Sequence, residues 1–124
     1  MRSDGTGVRQ ITNDDNDDFD PAWSPDGTSI AFSSHRAGAD PGAGPGTGWS
    51  IVRLDVTSGR QQTLTSDNAS PAFRPVWSPD GRTIAYISTD GAHTQPDLRF
   101  VDADGSHNRI IVTLITREAF VDWR

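Results

Sequence analysis

One pentapeptide occurs twice in this chain: Trp23-Ser24-Pro25-Asp26-Gly27 and Trp77-Ser78-Pro79-Asp80-Gly81. The copies stand 54 residues apart, and a worn third copy, Val121-Asp122-Trp123, follows 46 further on. Gly5, Gly59 and Gly105, each closing a polar turn, keep the same spacings of 54 and 46. Two independent markers sharing one irregular beat define a repeat array. A period of this length belongs to units that bury their faces by stacking on their neighbours.

The irregularity has one location. Phe32 and Tyr86 follow their pentapeptides at the same offset, so the difference of 8 residues falls after them, at the Gly/Pro-rich stretch 37–48. Proline lacks a ladder donor and glycine is entropically costly to order, so this stretch reads as a loop insertion in an otherwise standard repeat.

Each unit reads as four short strands. Ala22-Trp23-Ser24 forms the inner strand and Pro25-Asp26-Gly27 turns, with proline presetting the first turn residue and glycine accepting the left-handed exit. Ser29 to Ser34 follows, then Ser50 to Val56 with Val52, Leu54 and Val56 alternating against Arg53 and Asp55, then Gln61 to Thr65. The second unit repeats this as Val76-Trp77-Ser78, Thr83 to Ser88, Leu98 to Asp102 and Asn108 to Thr113. No segment of helical length carries an apolar stripe. The expected class is all-β, with four-stranded antiparallel units of the kind that stack radially as β-propeller blades.

The expected division is an outer strand of a preceding blade in residues 1–12, blade one in 13–65, blade two in 66–114, and an inner strand of a following or closing blade in 115–124. Met1-Arg2-Ser3-Asp4-Gly5 aligns with Val101-Asp102-Ala103-Asp104-Gly105, so the sequence starts inside a repeat. Two blades leave apolar faces and strand edges uncovered, which predicts completion by further sequence or by self-assembly. Three copies of two blades would make a six-bladed ring.

The residues around the pentapeptides resemble the TolB-type propeller repeat within the wider WD-like propellers. The resemblance runs through Phe19 to Gly27, Ile30 to Ser34, Leu54-Asp55-Val56 and Ser58-Gly59, then Pro75 to Gly81, Ile84 to Ser88 and Asp102 to Gly105. It implies a platform that binds protein or peptide across one rim, in families that also include peptidases and sensory and sugar-processing proteins. It also suggests a periplasmic or extracellular setting. Propellers of this family commonly have about six blades, and Val121-Asp122-Trp123-Arg124 has lost the Ser-Pro-Asp-Gly turn, as worn last copies often do.

Composition narrows the function. The net charge is −6, which argues against nucleic acid as a partner. No apolar run is long enough to insert in a membrane. There is no cysteine, so disulfides and thiolate metal sites are excluded.

The sharpest charge feature is the run Asp14, Asp15, Asp17, Asp18 and Asp20. It reads as a loop with two open interpretations: a calcium site, because hard cations take several carboxylates, or a solvated loop in which Asp20 caps local backbone. It lacks the spacing of an EF-hand. His35, His93 and His107 are scattered over different loops, and no G-x-S-x-G elbow is present, so no catalysis is expected. Trp23 and Trp77 are expected between blades, with Trp123 in the same part at an end. Together with Pro25, Asp26, Gly27, Pro79, Asp80 and Gly81 they are the structural residues of the repeat. Trp49 has no aromatic counterpart in the second unit, and with Phe73 and Arg74 it is the candidate ligand contact.

The expected function is a non-catalytic interaction module, self-assembling as a homo-oligomer or part of a larger propeller. The alternatives are a carbohydrate-binding oligomeric propeller and a truncated propeller segment of a peptidase or sensor.

Overall fold

Alternation of apolar and polar residues, cut by Pro-Asp-Gly and Ser-Gly turns, produces eight strands and no helix in the described part of the chain. The computed structural model describes residues 3–35, 48–65, 71–89 and 95–113. Most of the Gly/Pro-rich stretch, His93, and the closing strand with Trp123 lie outside the described residues.

Sheet one consists of β1 (Asp17–Trp23), β2 (Ser29–His35), β3 (Trp49–Asp55) and β4 (Gln61–Thr63). Sheet two consists of β5 (Ala72–Trp77), β6 (Thr83–Ser88), β7 (Asp97–Asp102) and β8 (Arg109–Thr113). In each sheet the strands pair antiparallel in sequence order. That is the meander of a propeller blade.

The pentapeptide turn is held by its own side chains. Ser24 Oγ donates to Asp26 Oδ1 at 2.6 Å and accepts from the Ser29 amide at 2.9 Å. The Thr28 amide also donates to Asp26 Oδ1, at 3.0 Å. Ser78, Asp80, Arg82 and Thr83 repeat the arrangement. Gly27 and Gly81 take φ of 72° and 70°, a region that a side chain strains. The motif serines are therefore turn elements, as their position in the sequence predicts.

The core lies between the sheets. Ala31, Ile51 and Leu64 of the first blade meet Ala72, Trp77, Ile84, Tyr86 and Val101 of the second. The Trp77 indole N–H donates to the Ala22 carbonyl at 3.0 Å. Arg53 Nη1 reaches the Ala103 carbonyl at 2.9 Å and Gln62 Nε2 the Asp104 carbonyl at 2.7 Å, tying the outer parts of the blades together. Ile30, Phe32, Val52 and Leu54 form a second cluster on the other face of sheet one.

Three expectations need correction. Trp23 is not a core residue here: it is 61% exposed, against 7% for Trp77. Trp23 pairs with Ile30, so it stands on the face of sheet one turned away from blade two. A tryptophan of this repeat is buried only by the blade before it. Second, Val8 to Thr12, expected as the outer strand of a preceding blade, have no ladder partner among the described residues. This segment is tied to blade one by Arg9 Nη2, which donates to the Val56 carbonyl at 2.6 Å. Third, the inner strand begins at Asp17 rather than Ala22, so much of the acidic run is strand and not loop.

Candidate functional site

The inner strands β1 and β5 each carry a bulge, between Phe19 and Ala22 and between Phe73 and Val76. Asp20 and Arg74 occupy the bulges with φ of 53° each, a left-handed conformation rare outside glycine. A bulge reverses the facing of the residues that follow it. Trp23 therefore looks away from blade two, whereas Phe19 looks toward it.

Cross-strand register then assembles a rim. Asp17 stands opposite His35, and His35 opposite Trp49. Phe19 lies one row deeper on the same face, in line with Ser33 and Ile51, and Ile51 belongs to the core between blades. The Trp49 ring lies 5.6 Å from Phe19, 5.0 Å from His35 and 5.4 Å from Phe73 of blade two, measured between centroids and tilted in each case. Below them the Arg74 amide donates to Ser33 Oγ at 3.1 Å, pinning β5 against sheet one. Trp49, Phe73 and the cluster around them are half-buried, but Phe19 is 55% exposed. The result is an aromatic patch open to solvent at the end of the crevice between blades.

Of the sequence candidates, Trp49 and Phe73 meet in this patch, and Arg74 is exposed beside it. Phe19 and His35 are the residues that sequence reading missed. Their signal was the cross-strand row itself, which requires knowing the register.

The acidic run does not converge. Asp17 and Asp18 are successive strand residues and point to opposite faces. Asp18 Oδ1 accepts the Ser34 hydroxyl at 2.7 Å, and Asp14 Oδ1 accepts the Asn16 amide at 3.1 Å. Among the described residues no three His, Cys, Asp or Glu side chains gather as a metal site. Within one chain the calcium candidates Asp14, Asp15, Asp17, Asp18 and Asp20 therefore form no such cluster.

Ser106, His107 and Asp102 do gather, on the β7–β8 turn. His107 Nδ1 lies 3.0 Å from Ser106 Oγ and 2.7 Å from Asp102 Oδ2. A nucleophile relay needs the serine and the carboxylate on opposite ring nitrogens, and here both share one. Arg109 also binds Asp102, so the group is a charged clasp for the turn.

The opposite end of the crevice holds a cleft of about 400 Å³ between the two pentapeptide turns, lined by Asp26, Arg53, Trp77 and Asp80 among others. Its carboxylates are committed to structure. The Ser24 hydroxyl, and after it the Thr28 amide and hydroxyl, hold Asp26 at about 2, below its ordinary 3.8. Asp80 is lowered mainly by the Ser78 hydroxyl, Asp55 by Ser58, and Asp4, Asp102 and Asp104 by neighbouring donors. A carboxylate whose folded pKa lies below its unfolded one stabilises the fold above the unfolded value. That contribution is lost as pH falls through the folded value. The urea midpoint of the chain is therefore expected to drop between about pH 4 and about pH 2. The Asp26→Asn variant is expected to show a shallower fall. A midpoint flat over that window in the wild-type chain would contradict this account.

No family model matches the chain. It is 37% identical over 92 residues to the Tol-Pal system protein TolB of Anaeromyxobacter dehalogenans, covering 72% of this chain and 18% of that protein. The structure of a putative TolB from Agrobacterium tumefaciens superposes with a TM-score of 0.61 at 28% identity, over 91% of this chain and 35% of that one. These are TolB-like propeller blades. The chain is also 34% identical over 80 residues to dipeptidyl-peptidase 5 of Porphyromonas gingivalis, covering 64% of this chain and 12% of the peptidase. It thus spans less than a fifth of the curated relatives it matches. The two four-stranded sheets are an open, partial TolB-like propeller. Among the described residues no helix is long and apolar enough to cross a membrane.

Proposed function

We propose that this chain is a non-catalytic protein-interaction module that presents the rim between its two blades to a protein or peptide. The observation that carries the reading is the exposed aromatic patch of Phe19 beside Trp49 and Phe73. Exposed aromatic residues at a rim supply large, stiff contact area, and such anchors dominate interface energetics. The likeness to proteins of the Tol-Pal system supports the same reading. The shared-nitrogen geometry at His107 supports a module without catalysis of its own.

The proposed units are residues 13–65 and 66–114 as blades, flanked by segments of neighbouring blades. Self-assembly is the finer form of this reading, and the exposure of Trp23 favours it.

A displayed random-peptide library panned on the chain tests the proposal. Enriched peptides are expected to lose binding to the Phe19→Ala, Phe73→Ala double variant. They are expected to keep it with Arg82→Ala at the opposite end. Failure to enrich any peptide, or loss confined to Arg82→Ala, would overturn the reading.

A further inference from the structure

We propose that the Trp49 rim recognises a cationic side chain, arginine or lysine, displayed by the partner peptide; this rests on the interaction reading above. An aromatic ring face carries negative potential, and tryptophan attracts cations most strongly of the aromatic side chains. Three further rings lie within 5.6 Å of Trp49, and the cluster opens to solvent at Phe19.

Among the described residues, the blade-one side of the rings is rich in aspartate. Five aspartates, Asp14, Asp15, Asp17, Asp18 and Asp20, precede or lie within β1, and Arg36, next after His35, lies outside the described residues. Asp17 sits in the same cross-strand row as His35 and Trp49 and is exposed. Asp18, held by the Ser34 hydroxyl, stands at the next position on the opposite face of β1. Asp14, Asp15 and Asp20 are exposed close by in the sequence. Arg74 on the blade-two side carries the opposite charge and is already engaged with a partner. Ionised carboxylates accept hydrogen bonds and cannot donate them. The rim therefore suits a ligand that is all donor and positively charged. A neutral sugar needs donors and acceptors together, and an acidic ligand meets repulsion.

The test uses fluorescein-labelled hexapeptides in which glycine alternates with arginine, lysine, glutamate or serine, with maltohexaose as a sugar probe. Binding to the full chain is followed by fluorescence anisotropy and by Trp49-dependent quenching at two salt concentrations. The arginine and lysine peptides are expected to bind and the other probes not. Trp49→Ala is expected to weaken the arginine peptide about tenfold, with Trp49→Phe retaining most of the affinity. Asp17→Asn is expected to weaken it roughly threefold and to flatten the salt dependence. Asp104→Asn, which removes the same charge at the far end of blade two, is expected to change nothing. Circular dichroism of Trp49→Phe checks that the fold survives.

Basic peptides that bind equally well to Trp49→Ala would show general attraction to an acidic chain and overturn the proposal. Binding of maltohexaose alone would overturn it in favour of a sugar site. Library peptides that bind the rim through neutral or acidic residues would overturn it while leaving the interaction reading intact. No binding of any peptide would remove both.

Discussion

Replacing Trp77 by alanine is expected to destabilise the chain by about 3–5 kcal/mol, the usual cost of emptying a packed aromatic site. Trp77 is 7% exposed, packs with Ile84, Tyr86 and Val101 of its own blade, and meets Ala31 and Ile51 of the other. Its indole also satisfies the Ala22 carbonyl, which the substitution would leave without that donor. Domains are stable by only about 5–15 kcal/mol, so this one side chain accounts for a large share of what holds the blades together. The same substitution at Trp23, identical in motif position, is expected to stay within about 0.5 kcal/mol in a monomer, because that ring is 61% exposed.

Urea denaturation of the two variants makes the comparison, and light scattering on a sizing column makes it interpretable. If copies of the 13.4 kDa chain assemble through Trp23, the wild type runs as a discrete multiple and Trp23→Ala as a monomer. A monomeric wild type would remove self-assembly. Equal costs at the two positions in a monomer would overturn the account of which tryptophan the blades enclose.

The second large effect is expected at the rim end of β7. Asp97 is 2% exposed, its Oδ1 has no hydrogen-bond partner, and Arg99 Nη2 lies 3.7 Å from its Oδ2. Ser88 Oγ and Gln95 Oε1 are likewise buried without partners. Ser88 stands directly opposite Asp97, and Ala72 opposite Ser88, so this row belongs to the face that blade two turns toward blade one. Breaking a buried pair leaves an uncompensated charge, and Arg99→Met is expected to cost about 3–5 kcal/mol. Removing both charges with Arg99→Met and Asp97→Leu together is expected to restore most of that loss or to exceed the wild type, because the desolvation of two ions disappears with them. A double-mutant cycle in urea measures the coupling. If Arg99→Met alone fell within about 1 kcal/mol of the wild type, the pair would be solvated in practice and the argument would fail.

Local chemistry made much of the fold readable. The strand Thr83–Ser88 was legible to the residue, and the other strand limits nearly so, except that the inner strands β1 and β5 start well ahead of Ala22 and Val76, at Asp17 and Ala72. The turns were legible because their cause is local: proline fixes φ, glycine takes the left-handed exit, and the aspartate two residues after the serine closes the loop with its own carboxylate. The start of β1 was misread because Asp14 to Asp20 has the composition of a loop. Pairing with β2 overrides that composition, since the ladder runs from Asp17 opposite His35.

The candidate site was only half readable. Trp49 stood out because it has no aromatic counterpart in the second repeat. Phe19 looked like part of the repeat motif and His35 like an isolated loop residue. Neither shows in composition or spacing that it will touch Trp49.

Local sequence specifies a repeat of four short strands, the Pro-Asp-Gly and Ser-Gly turns, and the pairing of the strands those turns join. These depend on residues within a few positions of one another. Only the packed structure shows that Trp77 is enclosed and Trp23 is not, that Phe19, His35, Trp49 and Phe73 share one rim, and that the acidic run spreads over two faces of β1. Those outcomes follow from which face each bulge turns outward and from which blade stands next to it. Two copies of the same motif therefore come to opposite ends, because burial belongs to the neighbour across the crevice and not to the residue.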